Sequence, residues 1–477
     1  MRLTYAPALE SVAEIRLRER YGLFIGGSWV APEASTYLAC ENPATEMPLA
    51  LVARACEADI ERAVRAARRG YDKYWHKFKG AERAKYLFRI ARALGERTRE
   101  IAVRESLACG MPIRFARDAV AATATAQAFY AAGWADKLTW AIRAHERAHA
   151  LGVVGVLVPA YAAFSATLAF VAPALACGNT VVLVPDARAP LGALLLAQVC
   201  AEIDLPPGVL NVITGDAPVG AMLVEHPELD LLAFAGTMAS GADLRHRFAG
   251  RRTRVHLALD GVSSIIVYDD APLDAAIEAI VASMSLGGSR AHYAGVRIFA
   301  AESVAIELLG RVTERLETLR HGDPLDKNTD VGALPSRAHR DALLELASAA
   351  TAAGATTVEA RWTAPDIGFW HPASLVTELP ASFDPSPLDG PGLATLGTFR
   401  TPEEAIVAAN AVRGALAASV WTSSGSLALY TAQRLTAGAV WCNTFDRFDA
   451  AAPFGGSAEA GAGRTSGLAG LRVFLDT

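Results

Sequence analysis

Apolar positions recur along the chain in two rhythms, and the change from one to the other divides the sequence. Residues 59–70 and 81–107 carry apolar side chains at helical spacing with Arg and Glu on the opposite face, which predicts amphipathic helices. Residues 112–134 continue as a long Ala-rich helix. Ahead of these, residues 23–30 (LFIGGSWV) predict a short hairpin that turns at Gly26-Gly27. From Gly152 the texture switches to short apolar β-type runs at 153–158, 180–184, 209–214 and 231–234, with helices at 190–203 and 219–226. That βαβ alternation predicts a parallel, doubly wound sheet whose ligands sit at the carboxyl ends of its strands. Strands at 262–268 and 296–300, with helices at 273–286, 304–319 and 338–353, open a second α/β region. The Pro-rich stretch 380–391 predicts an irregular loop within it.

One run departs from these rhythms: residues 153–177 carry no charge at all, a length that a bilayer helix would need. Pro159, Pro173 and Gly178-Asn179 divide it, so a strand, a loop, a buried helix and a further strand fit it better. No membrane partner is therefore expected. Residues 1–10 lack an apolar core and 14–20 are densely charged, so no signal peptide is expected at the start.

Length adds a domain count: 477 residues predict two or three domains at about 150 residues each. The 52% hydrophobic content supplies a large core and excludes disordered and fibrous classes. A net charge of −5 with interspersed signs gives no basic field, so no nucleic-acid partner is expected. Cys40, Cys56, Cys109, Cys177, Cys200 and Cys442 are widely spaced, with no CxxC pair. They read as reduced, mostly buried thiols of a cytoplasmic protein. His226, His246 and His321 stand alone, so no metal site is expected. Arg251-Arg252-Thr253-Arg254 reads as a solvated basic loop.

Several segments together resemble the aldehyde dehydrogenase superfamily. They are Asn42-Pro43-Ala44-Thr45, the run Ala172-Pro173-Ala174-Leu175-Ala176-Cys177-Gly178-Asn179-Thr180, and Leu205-Pro206-Pro207-Gly208-Val209-Leu210-Asn211. Asp330-Val331-Gly332, Ala417-Ala418-Ser419-Val420-Trp421 and Pro453-Phe454-Gly455-Gly456 follow in the same order. Segments 82–92 and 132–138 are also similar to a bacterial branch in which such proteins occur as paired copies. The resemblance implies a Rossmann-type domain from 1–127 and 148–258, and a former catalytic α/β domain over 259–464. Bridging or oligomerisation segments are implied at 128–147 and 465–477.

The chemistry that this resemblance implies is a cysteine thiolate attacking an aldehyde, oxyanion donors, a nicotinamide that accepts hydride, and a carboxylate that activates water. Each implied position holds another residue. The nucleophile's place falls on His292, and no cysteine lies between Cys200 and Cys442. The general-base glutamate is Ala258, the oxyanion-hole asparagine is Tyr161, and the lysine on the following helix is Phe170. Asp260 stands where the family has glycine and is a weak candidate for acid–base work beside His292. Of the cofactor contacts, the ribose lysine and glutamate are Val184 and Ala187, and the glutamate for the second ribose is Pro387. Gly236 and Thr237 alone keep the phosphate turn, where backbone amides at a helix start meet anions.

Magnitudes decide how seven such replacements read. One missing oxyanion donor costs about 10²–10³ in rate, and a missing covalent nucleophile costs more. Two or three lost charge-assisted contacts at roughly 1.5–3 kcal/mol each weaken a cofactor by about 10²–10⁵. The expectation is a catalytically inactive family member with no cofactor, acting as a structural or regulatory subunit in a homo- or hetero-oligomer with an active aldehyde dehydrogenase paralogue. The alternative is an NAD- or NADP-dependent oxidoreductase, or a hydrolase, with altered chemistry on His292.

Overall fold

The computed structural model of the chain describes residues 6–13, 15–141, 148–285, 295–380 and 393–476. Two sheets carry the architecture. The first contains β1 (Leu23–Ile25), β2 (Ser28–Val30), β3 (Val153–Val158), β4 (Thr180–Pro185), β5 (Leu210–Val212), β6 (Leu231–Gly236) and β7 (Arg254–Leu259). Their order across the sheet is β7-β6-β3-β4-β5-β1-β2, with the short strand Gly461–Ala462 added outside β7. The pairings from β7 to β5 are all parallel, and the outer strands are antiparallel. The second sheet contains β8 (Val262–Val267), β9 (Gly295–Ala301), β10 (Thr356–Glu359), β11 (Ser374–Thr377), β12 (Ala394–Phe399), β13 (Ala415–Trp421) and β14 (Ala439–Cys442). It runs β10-β11-β12-β9-β8-β13-β14 and is parallel except for β10–β11.

The helices α1 (Glu57–Lys73), α2 (Gly80–Glu96), α3 (Thr98–Cys109), α4 (Ala122–Trp134), α5 (Ala163–Cys177), α6 (Leu191–Glu202), α7 (Ala217–Glu225) and α8 (Met238–Phe248) accompany the first sheet. Both faces of a parallel sheet must be covered, and its strands are accordingly buried along nearly their whole length. The hairpin turns where expected, with Gly26 and Gly27 at φ of 62° and 84°, a region that favours residues lacking Cβ. The uncharged run 153–177 is β3, a loop and the buried α5. Among the described residues no helix is long and apolar enough to cross a membrane.

Two local features differ from the periodicity. The single helix read over 81–107 breaks at Arg97, where the Thr98 hydroxyl donates to the Gly95 carbonyl (2.8 Å) and the Arg97 amide bonds only three residues back. The helix read over 112–134 contains a π-turn at Ala116–Ala121, which inserts a residue and rotates all that follows. Residues of that turn face the cavity described below.

The motif segments owe their form to two buried asparagines. Asn179 follows Gly178, which ends α5 at φ 97°. Its side chain accepts from the Gly152 amide (2.9 Å) and donates to the carbonyls of Ala174 (3.2 Å) and Phe474 (2.8 Å). Asn211 accepts from the Gly26 amide (2.9 Å) and donates to the carbonyls of Val181 (3.2 Å) and Gly208 (2.9 Å). Each amide thus satisfies three buried backbone groups from different elements, a requirement of close-packed interiors. The residues after α5 and the C-terminal strand Leu475–Asp476, which pairs with His149–Ala150, are drawn together by the first of them.

Candidate functional site

A cavity of about 1300 Å³ opens at the carboxyl ends of β3, β6 and β7, the place where open α/β sheets take their ligands. The loop after β3 supplies Tyr161, α5 supplies Phe170, the end of β6 supplies Gly236 and Thr237, and the end of β7 supplies Ala258 and Asp260. Six of the positions singled out in the sequence therefore meet in one space. Val184 lies buried in β4, and Ala187 in the turn after it; neither lines this cavity. His292 and Pro387 lie outside the described residues, as does most of the Pro-rich loop.

The described walls are largely aromatic and aliphatic, with Phe115, Phe445, Phe448 and Phe454 joining Tyr161 and Phe170. Several wall charges are already paired within the chain. Arg114 holds Asp330 at 2.6 Å, Arg188 holds Asp186 at 2.6 Å, and Arg315 holds Glu278 at 2.8 Å. Arg251 and Arg254 of the basic loop are likewise tied, to Glu225 and Asp476. No cysteine lines the cavity among the described residues, and none of their His, Cys, Asp and Glu side chains cluster as a metal site. All six cysteines are free thiols. Burial pushes those of Cys40 and Cys177 up to about 12 and raises those of Cys109 and Cys200, so none of these four supplies a thiolate at neutral pH. Cys56 donates to Asp59, and Cys442 sits exposed on β14.

Phe170 is fully buried and meets the ring of His256 edge-on, with centres 5.6 Å apart; His256 in turn meets Phe474 at 6.5 Å. His256 Nδ1 donates to the Ala462 carbonyl at 2.9 Å. Burial pushes this imidazole down to about 4, against the opposing pull of that carbonyl, so it is neutral at pH 7. An edge-on aromatic cluster thus occupies the place at the cavity wall where the resemblance implies a lysine.

Glu105 underlies the loop that carries Tyr161. Its carboxyl is 1% exposed, accepts from the Phe164 amide at 3.3 Å, and is pushed up to about 8 by burial, the Phe164 amide pulling it partly back. One turn later on α3, the Cys109 thiol donates to the Ala160 carbonyl at 2.9 Å. Ala162 in the same loop has φ 48°, a conformation costly for a residue with Cβ. Neither Glu105 nor His256 showed a functional signal in the sequence, since each lies inside an ordinary helix or strand pattern.

Asp260 makes the most specific polar contact of the six. Its Oδ1 accepts from the Met238 amide at 2.6 Å, at the first residue of α8, and its own amide donates to the Gly236 carbonyl at 2.8 Å. Thr237, the N-cap, accepts from the Ser240 amide at 3.2 Å. The sequence of this turn is open to an anion; in the fold a carboxylate of the chain itself takes the Met238 amide. Burial raises the pKa of Asp260, with the Met238 amide opposing.

Residues 29–477 match the aldehyde dehydrogenase family, and the chain belongs to that family. It is 33% identical over 469 residues to NADP/NAD-dependent aldehyde dehydrogenase PuuC of Escherichia coli (strain K12), covering 95% of this chain and 94% of that protein. To aminoaldehyde dehydrogenase 2, peroxisomal, of Pisum sativum it is 32% identical over 476 residues, covering 95% and 94%. The NAD+ complex structure of aldehyde dehydrogenase from Bacillus cereus matches with a TM-score of 0.93 at 30% identity over 98% of both chains. The α/β fold with parallel sheets is the one these structures share.

Proposed function

We propose that this chain is a non-catalytic member of the aldehyde dehydrogenase family, serving as a structural or regulatory subunit beside an active aldehyde dehydrogenase. The observation that carries the reading is the absence of a thiol: no cysteine occurs between Cys200 and Cys442, and none lines the cavity among the described residues. At the same cavity a methyl (Ala258) stands for the base, and a packed ring (Phe170) stands for the lysine. The named relatives are enzymes, so the inactivity rests on these replacements.

The family implies a nicotinamide dinucleotide, and the residues of this chain fit it poorly. Val184 and Ala187 offer neither ammonium nor carboxylate to a ribose. The Met238 amide, a donor that a pyrophosphate would use, already carries Asp260. Weak or no dinucleotide binding follows.

Support for the subunit role comes from the edges. Among the described residues β14 pairs on one side only, with β13, and its residues are half-buried or exposed. An uncovered edge strand invites pairing with another chain. Pull-down from the native host with mass spectrometry tests the role: co-recovery of an active aldehyde dehydrogenase is expected, and recovery of this chain with itself alone removes the hetero-oligomer. An aldehyde panel with NAD and NADP tests inactivity, and turnover abolished by His292→Ala would establish the alternative chemistry instead.

A further inference from the structure

We propose that Asp260 is a tethered anion seated at the amino end of α8, and that it sets the ligand preference of the cavity against phosphoanions. The inference deepens the reading of weak dinucleotide binding and rests on it. A helix start presents unpaired amides and partial positive charge, and an anion placed there is stabilised by both. In α8 the amides of Met238 and Ser240 already have acceptors, Asp260 Oδ1 and Thr237 Oγ1. Part of the charge of the helix end is thereby met from within the chain.

The backbone around Asp260 keeps the carboxylate in place. Its amide is bonded to the Gly236 carbonyl, and two residues on the Val262 amide is bonded to the Gly414 carbonyl at 2.9 Å. Between them Gly261 packs so closely on Ala460 that a Cβ there would lie 2.7 Å from the Ala460 side chain. The backbone here cannot shift without losing these contacts, and the carboxylate itself is held by the Met238 amide. Gly236, Thr237 and Asp260 all line the cavity, so an incoming phosphate meets a carboxylate where it would otherwise find an amide. Neutral or cationic ligands of the same space pay no such repulsion.

The test is calorimetric titration of the full chain with inorganic pyrophosphate, and separately with NAD, for the wild type, Asp260→Gly and Asp260→Asn. Pyrophosphate is used because it needs none of the missing ribose contacts. Removing the fixed charge is expected to tighten pyrophosphate by about tenfold in both variants, the gain shrinking at high salt. A gain under about fivefold in the folded variants overturns the inference. If the glycine variant does not fold, the asparagine variant, which keeps the size and an acceptor, carries the same comparison. Micromolar NAD binding by the wild type overturns the weak-cofactor reading whatever the pyrophosphate ratio, so the two failures are distinguishable.

Discussion

Two sets of residues on the same sheet behave in opposite ways. Asn179, just before β4, and Asn211, within β5, each tie three backbone groups from separate elements. Tyr161, Phe170, Ala258 and Asp260, at the open carboxyl ends, share one cavity, where the structure gives Phe170 an edge-on ring partner and Asp260 an amide of its own chain. The first set is demanded by the fold, because a buried carbonyl or amide without a partner costs about 1–3 kcal/mol. The second set is demanded only by chemistry. On the proposed reading, a chain released from the chemistry would keep the first and be free to fill the second, so that the family fold and the altered cavity coexist.

The largest effect expected from this contrast is at the buried asparagines. Asn179→Ala strands the Gly152 amide and the Phe474 carbonyl and should lower unfolding stability by about 3–5 kcal/mol, read by urea denaturation. An effect as small as that of a cavity residue such as Ala258→Ser would erase the distinction between the two sets.

Glu105 comes next. Its pKa is raised to about 8 in the fold, so the carboxyl stays protonated there while the unfolded chain ionises from about pH 4.5. The stability it contributes is present below about 4.5 and is lost as pH rises toward 8. Glu105→Gln should remove that loss and raise stability at pH 8 relative to wild type by about 2–4 kcal/mol, with no gain at pH 4. Equal gains at both pH values would contradict burial of an unpaired carboxyl beneath the Tyr161 loop.

His256 gives the mirror case at acid pH. Its folded pKa is near 4 against an ordinary 6.5, so its contribution is present above 6.5 and is lost as pH falls toward 4. His256→Leu should flatten the acid decline by about 1–3 kcal/mol between those values, measured as the thermal midpoint against pH. The smallest effect is expected at Ala258. Restoring the carboxylate with Ala258→Glu should leave aldehyde turnover at the buffer rate, because no thioester forms for it to hydrolyse.

The scaffold was legible in the sequence wherever one period ran unbroken. The parallel strands β6, β3, β4 and β5 follow from apolar runs of strand length, and the β1–β2 hairpin from Gly26-Gly27, whereas β7 was not read as a strand. The break at Arg97 was hidden because a side-chain bond from Thr98 to Gly95 interrupts the helix without disturbing its apolar spacing. The π-turn at Ala116–Ala121 was hidden because its sequence, ARDAVA, holds no glycine or proline to mark a break in the helix. The cavity positions were found through the resemblance, and their replacement was readable directly. The contact between Asp260 and Met238 was not, since it joins a strand end to a helix start 22 residues away. His256 escaped for the reverse reason: a lone polar residue inside β7 carries no periodic signal, and its partners are Phe170 of α5 and Phe474, just ahead of the C-terminal strand.

The claim on which all of this turns is that the cavity no longer performs aldehyde chemistry. A single-turnover experiment tests it most directly, with the full chain at a concentration matching NAD and aldehyde, and the absorbance of reduced nicotinamide followed from mixing. The account predicts a flat trace across a range of aldehydes, with NADP as with NAD. Reduced nicotinamide formed in an amount equal to the chain present would contradict it.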